Sequence, residues 1–208
     1  MPEKTDQLAL LFKEIQHGNK NAFDEFFLLY YDKLLAFALQ YTKQLESAEE
    51  ITSELFVKIW IKRAGLSTIL NPDVYLFIAI KNACLNLIRS EKKRSMAFTA
   101  QPNDQSLEKV LVSDEPKMED KELKKILDLA VNALPIQRKM IFKLIKEDGL
   151  KGHEVASILG ISVRTVENQL YKAVKSLAES ISEYIGYHPQ KKISKKQVLS
   201  DFPLLFFL

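Results

Sequence analysis

The sequence predicts an all-α protein built from two small helical bundles joined by a flexible linker. Three observations lead to this fold class: only six glycines occur in 208 residues, apolar residues recur every three or four positions, and no stretch alternates apolar and polar residues convincingly over strand length. Hydrophobic residues make up 47% of the chain, so a packed core is expected. The length corresponds to one domain or two small ones.

Helical spacing predicts the N-terminal bundle over residues 1–94. The first clear helix runs from about Ala22 to Tyr41. The next is predicted to begin at Ser47, read as its N-cap, and to end near Lys62. Glu49 and Glu50 would then occupy its first turn, where the helix dipole stabilises acidic side chains.

The start of a third helix is predicted at residues 71–73. Asn71 can serve as its N-cap, Pro72 suits the first helical position, and the Asp73 carboxylate complements the helix dipole. It is apolar over most of its surface and is predicted to be the buried centre of this bundle. A polar line interrupts it at steps of four, three and four: Asn82, Asn86, Arg89 and Lys93. Tyr75 and Phe77 lie at its other end, where an unstacked base could rest.

Helical periodicity fades over residues 95–120, which predicts the linker, with a short helix around Leu107–Leu111. The second bundle is predicted over residues 121–186, with Pro135 interrupting it or starting a helix and Gly149 closing one. Residues 187–208 form a C-terminal tail with a basic run before the apolar end Phe202–Leu208. The tail is predicted either to pack on the protein or to fray. Two alternatives are a contact with a membrane surface and a docking peptide for a partner.

The stretch from Glu154 to Leu177 predicts a helix-turn-helix. Ala156 permits close helix approach, Gly160 tolerates a positive φ in the turn, and Ser162 caps the second helix. The residues predicted to point inward are Val155, Leu159, Ile161, Val166, Leu170, Val174 and Leu177. Those left outward or on the flanks are Arg164, Thr165, Glu167, Asn168, Tyr171, Lys172 and Lys175.

In such a motif the second helix enters the DNA major groove. Arginine and asparagine pair with guanine and adenine edges, whereas lysines contact phosphates. The alternative is a plain helical hairpin with solvated charges. The polar line on the third helix has its own alternative, in which the asparagines bond within the bundle and Lys92, Lys93 and Arg94 form a solvated helix end.

The charge distribution and the cysteine content indicate the kind of partner and the cellular compartment. The net charge is only +3, but a basic group from Lys81 to Arg94 precedes an acidic segment from Asp104 to Glu122, which indicates a polyanion partner for the first part. The single cysteine, Cys84, cannot form an intrachain disulfide and is predicted to be a core residue. Neither a signal peptide nor a transmembrane stretch is predicted, which favours a cytoplasmic protein.

Enzyme motifs are missing from the sequence. His153 and Glu154 begin an HExxH pattern, but Ser157 occupies its fifth position, and no phosphate-binding loop or GxSxG elbow occurs. The prediction is therefore no catalytic residue, no metal, no cofactor and no small-molecule substrate.

Three segments together resemble the extracytoplasmic-function sigma factors, which have only the second and fourth sigma regions. They read "AEEITSELFVKIW", "YLFIAIKNACLNLIRSEKKR" and "LPIQRKMIFKLIKEDGLKGHEVASILGISVRTVENQLYKAVKSL", and the resemblance spans about residues 21–182. It implies a protein that binds core RNA polymerase and promoter DNA. It also implies an anti-sigma partner, which no feature of the sequence itself indicates.

The resemblance implies a role for each set of residues. Polymerase binding would fall to Glu49, Glu50, Ser53 and Glu54, with Ser53 replacing the glutamine usual in the family. Capture of the −10 element would fall to Tyr75, Asn82, Asn86, Arg89, Lys92 and Lys93. Recognition of the −35 element would fall to Arg164, Thr165, Glu167, Asn168, Tyr171, Lys172 and Lys175.

Two other functions fit the same pattern. A helix-turn-helix regulator would bind a promoter as a dimer without docking on polymerase, using residues 1–94 for sensing or dimerisation. A pure interaction protein would use both bundles as docking surfaces and show no salt-dependent affinity for DNA.

Overall fold

The computed structural model describes residues 4–97 and 118–185, with side chains described over 7–94 and 125–180. These residues contain eight α-helices and one 3-10 helix, and no strand occurs among them. They fall into two compact units, one holding the first four α-helices and the other the last four. The all-α, two-bundle prediction is confirmed. The short helix expected around residues 107–111 and the tail 187–208 lie outside the described residues.

The first unit is a four-helix arrangement with a 3-10 corner. Its elements are α1 (Lys4–Gln16), α2 (Lys20–Thr42), α3 (Leu45–Ile61), the 3-10 helix Arg63–Thr68 and α4 (Pro72–Ala97). Both α2 and α4 pack against the other three α-helices of the unit, and α1 also packs against the 3-10 helix. The predicted central position of α4 is therefore shared with α2.

Aromatic rings fill the space between α1, α2 and α3. Phe26 lies 5.6 Å from Phe12 and 4.8 Å from Phe56, measured between ring centroids. Phe23 lies 5.0 Å from Trp60, and the Arg63 guanidinium lies 4.8 Å from the Trp60 ring. Tilted and edge-to-face pairs at these distances add roughly 0.5–1.5 kcal/mol each beyond burial.

The helix starts follow the capping predictions at α4 but not at α3. Asn71 Oδ1 accepts a hydrogen bond from Val74 N at 3.1 Å, as expected of an N-cap. The predicted cap at Ser47 is wrong, because α3 begins at Leu45 after Gln44. Glu46, rather than Glu49 and Glu50, is the acid of its first turn.

The second unit packs three helices around a long fourth one. Its elements are α5 (Met118–Ala133), α6 (Ile136–Lys146), α7 (Gly152–Leu159) and α8 (Val163–Ile185), and α8 contacts the other three. Pro135 directly precedes α6, and Gly149 has a φ of +76° after that helix ends. One core cluster contains the buried residues Leu127, Val131, Leu134, Phe142, Ala173, Val174 and Leu177.

Candidate nucleic-acid interface

The corner between α7 and α8 is a helix-turn-helix. Gly160 has a φ of +71°, and its N–H donates to Ala156 O at 2.9 Å, so the first helix ends in a left-handed turn. Ser162 Oγ then accepts from Thr165 N at 3.1 Å and caps the second helix. Both local predictions are confirmed. The inward set differs from the prediction, because Ile158 is fully buried while Leu159 and Ile161 are only half-buried.

The apolar stripe of α8 faces the core of its unit. Val166, Val174 and Leu177 are buried and Leu170 is half-buried, as expected, and Ala173 joins them. Four of the predicted DNA-facing residues are exposed: Arg164, Glu167, Lys172 and Lys175. The other three are half-buried: Thr165, Asn168 and Tyr171. The outer face of the second helix is therefore polar and open to a partner.

Three contacts modify that face. The Thr165 and Ser162 hydroxyls are 2.8 Å apart, so Thr165 takes part in the cap. Tyr171 packs its ring against the core cluster, which ties it to the scaffold. Lys175 Nζ lies 3.7 Å from Glu179 Oε1, an exposed pair worth little in water. Of the three cations in the set, Lys175 is thus the one with an ion pair in the described part of the chain, and Arg164 and Lys172 are exposed.

The polar line on α4 lies on the solvent side of the first unit. Asn82, Asn86, Arg89, Lys92 and Lys93 are all exposed, and Tyr75 is 40% exposed. At about 100° per residue, Tyr75, Asn82, Asn86, Arg89 and Lys93 fall within a strip about 60° wide. Lys92 lies about 90° around the helix from the middle of that strip, so it does not belong to the line. Arg89 Nη1 donates to Asn86 Oδ1 at 3.2 Å.

The opposite side of α4 is the buried one. Leu76, Phe77, Ile80 and Cys84 are at most 1% exposed. The prediction that a base could rest on Phe77 is wrong, because its ring packs edge-on against Phe37 at 5.2 Å. Burial raises the pKa of the Cys84 thiol to about 11, so the side chain stays a neutral core residue at pH 7, as predicted.

The acidic residues of α3 also face outward. Glu49, Glu50, Ser53 and Glu54 are exposed, while Ala48, Ile51, Thr52 and Leu55 form the buried side. Glu54 Oε2 lies 2.6 Å from Lys58 Nζ. Val57 and Ile61, which sequence reasoning missed, are 56% and 68% exposed, so apolar surface continues beyond the acids toward the end of α3.

A polar bridge between α6 and α8 was also missed. Arg138 Nε donates to Gln169 Oε1 at 3.3 Å. The two residues are 31 positions apart, and Arg138 has no special spacing within α6. No sequence signal points to this pair.

The described residues contain neither a candidate metal site nor a candidate membrane span. No group of three or more His, Cys, Asp or Glu side chains there is arranged to hold a metal ion. Among the helices described in residues 4–97 and 118–185, none combines the length and apolarity of a membrane span.

Family models and known proteins match both units. The model for sigma-70 region 2 matches residues 26–94, and the model for sigma-70 region 4 matches residues 124–177. The RNA polymerase sigma-H factor of Pseudomonas aeruginosa is 23% identical over 183 residues, covering 85% of this chain and 94% of that protein. The ECF RNA polymerase sigma factor SigW of Bacillus subtilis is 22% identical over 177 residues, covering 82% and 95%.

One longer relative and one solved structure also match this chain. The probable RNA polymerase sigma factor RfaY of Xanthomonas campestris is 25% identical over 79% of this chain, and the matched stretch spans only 42% of that protein. The sigma factor RpoE in its co-crystal structure with the anti-sigma factor NepR from Bartonella quintana has a TM-score of 0.54 at 19% identity. The match covers 77% of this chain and 96% of that one. This likeness concerns the fold.

Proposed function

This chain belongs to the extracytoplasmic-function sigma factors of the sigma-70 family, and on that premise we propose that it binds core RNA polymerase and directs it to promoters. The observation that carries the proposal is the match of region 2 to one compact unit and of region 4 to the other. Each unit also exposes a polar helical face. The domain bounds we propose remain 1–94, 95–120, 121–186 and 187–208.

We assign the −10 element to the exposed strip on α4. Tyr75 offers a partly exposed ring, the two asparagines offer edge hydrogen bonds, and Arg89 and Lys93 offer charge to phosphates. Pulling a base from the stack costs a few kcal/mol, which stacking and edge hydrogen bonds must recover. Lys92, off the strip, is assigned a phosphate contact only.

The −35 element is assigned to the outer face of α8. Arg164 and Asn168 are one helical turn apart and sit near the start of the helix, where helix-turn-helix proteins contact base edges. Lys172 and Lys175 follow at positions suited to phosphates. Thr165, Glu167 and Tyr171 flank this row, with Tyr171 held by the core.

Docking on core polymerase is assigned to the exposed side of α3 through Glu49, Glu50, Ser53 and Glu54. The exposed Val57 and Ile61 support an interface that combines acids with apolar surface. The segment 95–120, whose sequence predicts a linker, would let two units bind separated elements at high effective concentration. Each unit alone is then expected to bind DNA weakly.

The cellular location of the protein follows from this function. A sigma factor acts where polymerase and the chromosome lie, so we propose that the protein is cytoplasmic. It acts as an initiation factor by binding, with no chemical step of its own. An anti-sigma partner is proposed from family membership, in keeping with the complex in which RpoE was solved.

Transcription with purified core polymerase and a genomic promoter library tests the proposal. The full chain is expected to co-purify with core enzyme and to start transcription from a limited set of promoters. A helix-turn-helix regulator would instead bind DNA alone and start no transcription. A pure interaction protein would show no salt-dependent DNA affinity, so either result would contradict the sigma-factor function.

A further inference from the structure

Arg138 of α6 reaches across to the recognition helix α8. Its Nε donates to Gln169 Oε1 at 3.3 Å, and Gln169 directly follows Asn168, one of the residues assigned to base edges. Arg138 and Gln169 are both half-buried. The bridge fixes the guanidinium beside α8, although Arg138 itself lies outside the helix-turn-helix.

Gln169 sits where the buried side of α8 meets its outer face. Residues three and four apart on a helix are surface neighbours. Gln169 therefore lies between the buried residues Val166 and Ala173 on one side and Thr165 and Lys172 on the other. Lys172 belongs to the outer row, which consists of Arg164, Asn168, Lys172 and Lys175, and Thr165 flanks that row. The Arg138 guanidinium is thus held along one flank of the outer row.

Most of the donors on that guanidinium are available. Arginine carries five N–H donors, and only the Nε donor of Arg138 has a partner in the described part of the chain. No carboxylate there lies within 4.0 Å of it, since the ion pairs found involve only lysines. No described buried side-chain nitrogen or oxygen lacks a partner, so the terminal nitrogens of Arg138 reach solvent.

We propose that Arg138 binds a backbone phosphate of the promoter on the groove wall beside α8, with Gln169 as its positioning residue. This deepens the proposed function and rests on it. The major groove is about 12 Å wide, so a helix inside it has phosphates along both flanks. A planar guanidinium with its two terminal NH₂ groups outward matches phosphate oxygens in a bidentate geometry. The contact adds affinity and register without reading sequence.

The test uses the full chain and the upstream duplex chosen by the transcription assay, with single phosphates replaced one at a time by neutral methylphosphonates. For the wild-type chain, one replacement at the edge of the element is expected to weaken binding about tenfold, the effect of one charge-assisted hydrogen bond. For Arg138→Ala that replacement is expected to have no effect, while sensitivity at the other phosphates stays. For the same variant, the decline of log K with the logarithm of the salt concentration is expected to be less steep, by about 0.9 in slope.

Two variants make the test specific. Lys143→Ala removes a cation from the same helix, about 140° around it from Arg138. Lys143 Nζ lies 3.3 Å from Glu147 Oε2, and its loss is expected to change neither the salt slope nor the phosphate profile. Gln169→Leu keeps the size of the side chain but cannot accept from Arg138, and is expected to reduce sensitivity at the same phosphate. Thermal unfolding of each variant shows whether the unit is still folded.

The outcomes distinguish a failure of the Arg138 phosphate contact from a failure of the sigma-factor function. Binding by Arg138→Ala with an unchanged phosphate profile and salt slope would overturn the phosphate contact and leave the sigma-factor function standing. An unchanged profile for Gln169→Leu would overturn the positioning role. If the wild-type chain directs no transcription and shows no salt-dependent DNA affinity, the function fails and the contact fails with it. Arg138→Lys, which keeps charge but not the bidentate fork, is expected to retain the salt slope while losing part of the affinity.

Discussion

The Tyr30 hydroxyl donates a hydrogen bond to Asp73 Oδ1 at 2.7 Å in the interior of the first unit. Both residues are buried, Tyr30 at 6% and Asp73 at 8% exposure. The bond joins the middle of α2 to the first turn of α4, 43 residues later. It thereby fixes the start of the helix that carries the strip assigned to the −10 element.

Replacing Tyr30 with Phe is expected to destabilise the first unit by about 1–3 kcal/mol, because a buried carboxylate loses a donor. Urea unfolding at pH 7 measures the change. Tyr31→Phe is the matched control, since Tyr31 is half-buried on the same helix and its hydroxyl has no hydrogen bond within the described residues. Equal stabilities for the two variants would show that the Tyr30–Asp73 bond contributes nothing net.

The glycines at the two ends of α7 are expected to respond oppositely to replacement by alanine. Gly160 has a φ of +71° with open space around an added Cβ, so Gly160→Ala should cost about 1–2 kcal/mol through backbone strain alone. Gly152 is at the start of α7 with ordinary φ and open space, so Gly152→Ala should be neutral or stabilise by about 0.4–1 kcal/mol. Thermal unfolding compares them, and a neutral Gly160→Ala would remove the argument for a strained turn.

The stability of the first unit is expected to fall between pH 9 and pH 11. Burial raises the pKa of Cys84 from 9.0 to about 11, so in this window the unfolded chain loses a proton that the folded chain keeps. Stability is then full below pH 9 and declines as pH rises. By pH 10.5 the loss from Cys84 is about 2 kcal/mol. The pKa of Tyr41, raised to about 12 by burial and by Cys84, acts in the same direction.

Urea midpoints of the wild-type chain and of Cys84→Ala at pH 8 and pH 10.5 isolate this effect. The variant starts less stable, because a small cavity replaces the sulfur. It is nevertheless expected to lose less stability between the two pH values. Parallel losses in both proteins would mean that Cys84 does not titrate differently on unfolding.

Arg164→Ala and Asn168→Ala are expected to change the preferred upstream sequence without unfolding the second unit. Each bidentate base contact contributes about 1–3 kcal/mol of discrimination. Selection of duplexes from a random pool by the holoenzyme measures the preference at each position. Lys175→Ala is the control, because a phosphate contact should weaken binding to all sequences alike. An unchanged preference for both variants argues against the assignment of α8.

Replacing Asn82 and Arg89 together is expected to impair strand opening more than upstream binding. Both side chains lie on the strip of α4, and neither is part of the core, so the fold should be retained. Permanganate reactivity of unpaired thymines near the start site measures opening, and duplex binding measures the upstream contact. Replacing Lys62, an exposed cation beyond the end of α3, serves as the control. Normal opening by the double variant refutes the role of the strip.

The local features of the fold were predictable because their determinants are close in sequence. Asn71 caps α4 through a residue three positions later, and Gly160 and Ser162 define the turn within a few residues. The exposed strip on α4 and the outer row on α8 followed from helical spacing alone. Whether those residues perform the assigned roles stays a prediction.

The features that sequence reasoning missed depend on which elements pack together. Phe77 is buried because α2 covers that side of α4, and no pattern within α4 shows where α2 lies. The Tyr30–Asp73 and Arg138–Gln169 bonds join residues 43 and 31 positions apart. The start of α3 was misplaced because Ser47 is as good a cap by residue type as any neighbour, and the chain enters the helix at Leu45 instead.

The position of Trp60 makes the two bundles optically distinguishable. It is the single tryptophan of the chain, and its half-buried indole packs against Phe23 and Arg63 in the first unit. Its emission should therefore follow the melting of that unit alone, whereas far-ultraviolet circular dichroism records helix loss from both. Comparing the two signals in one unlabelled sample would reveal whether the halves of this factor unfold together or one after the other.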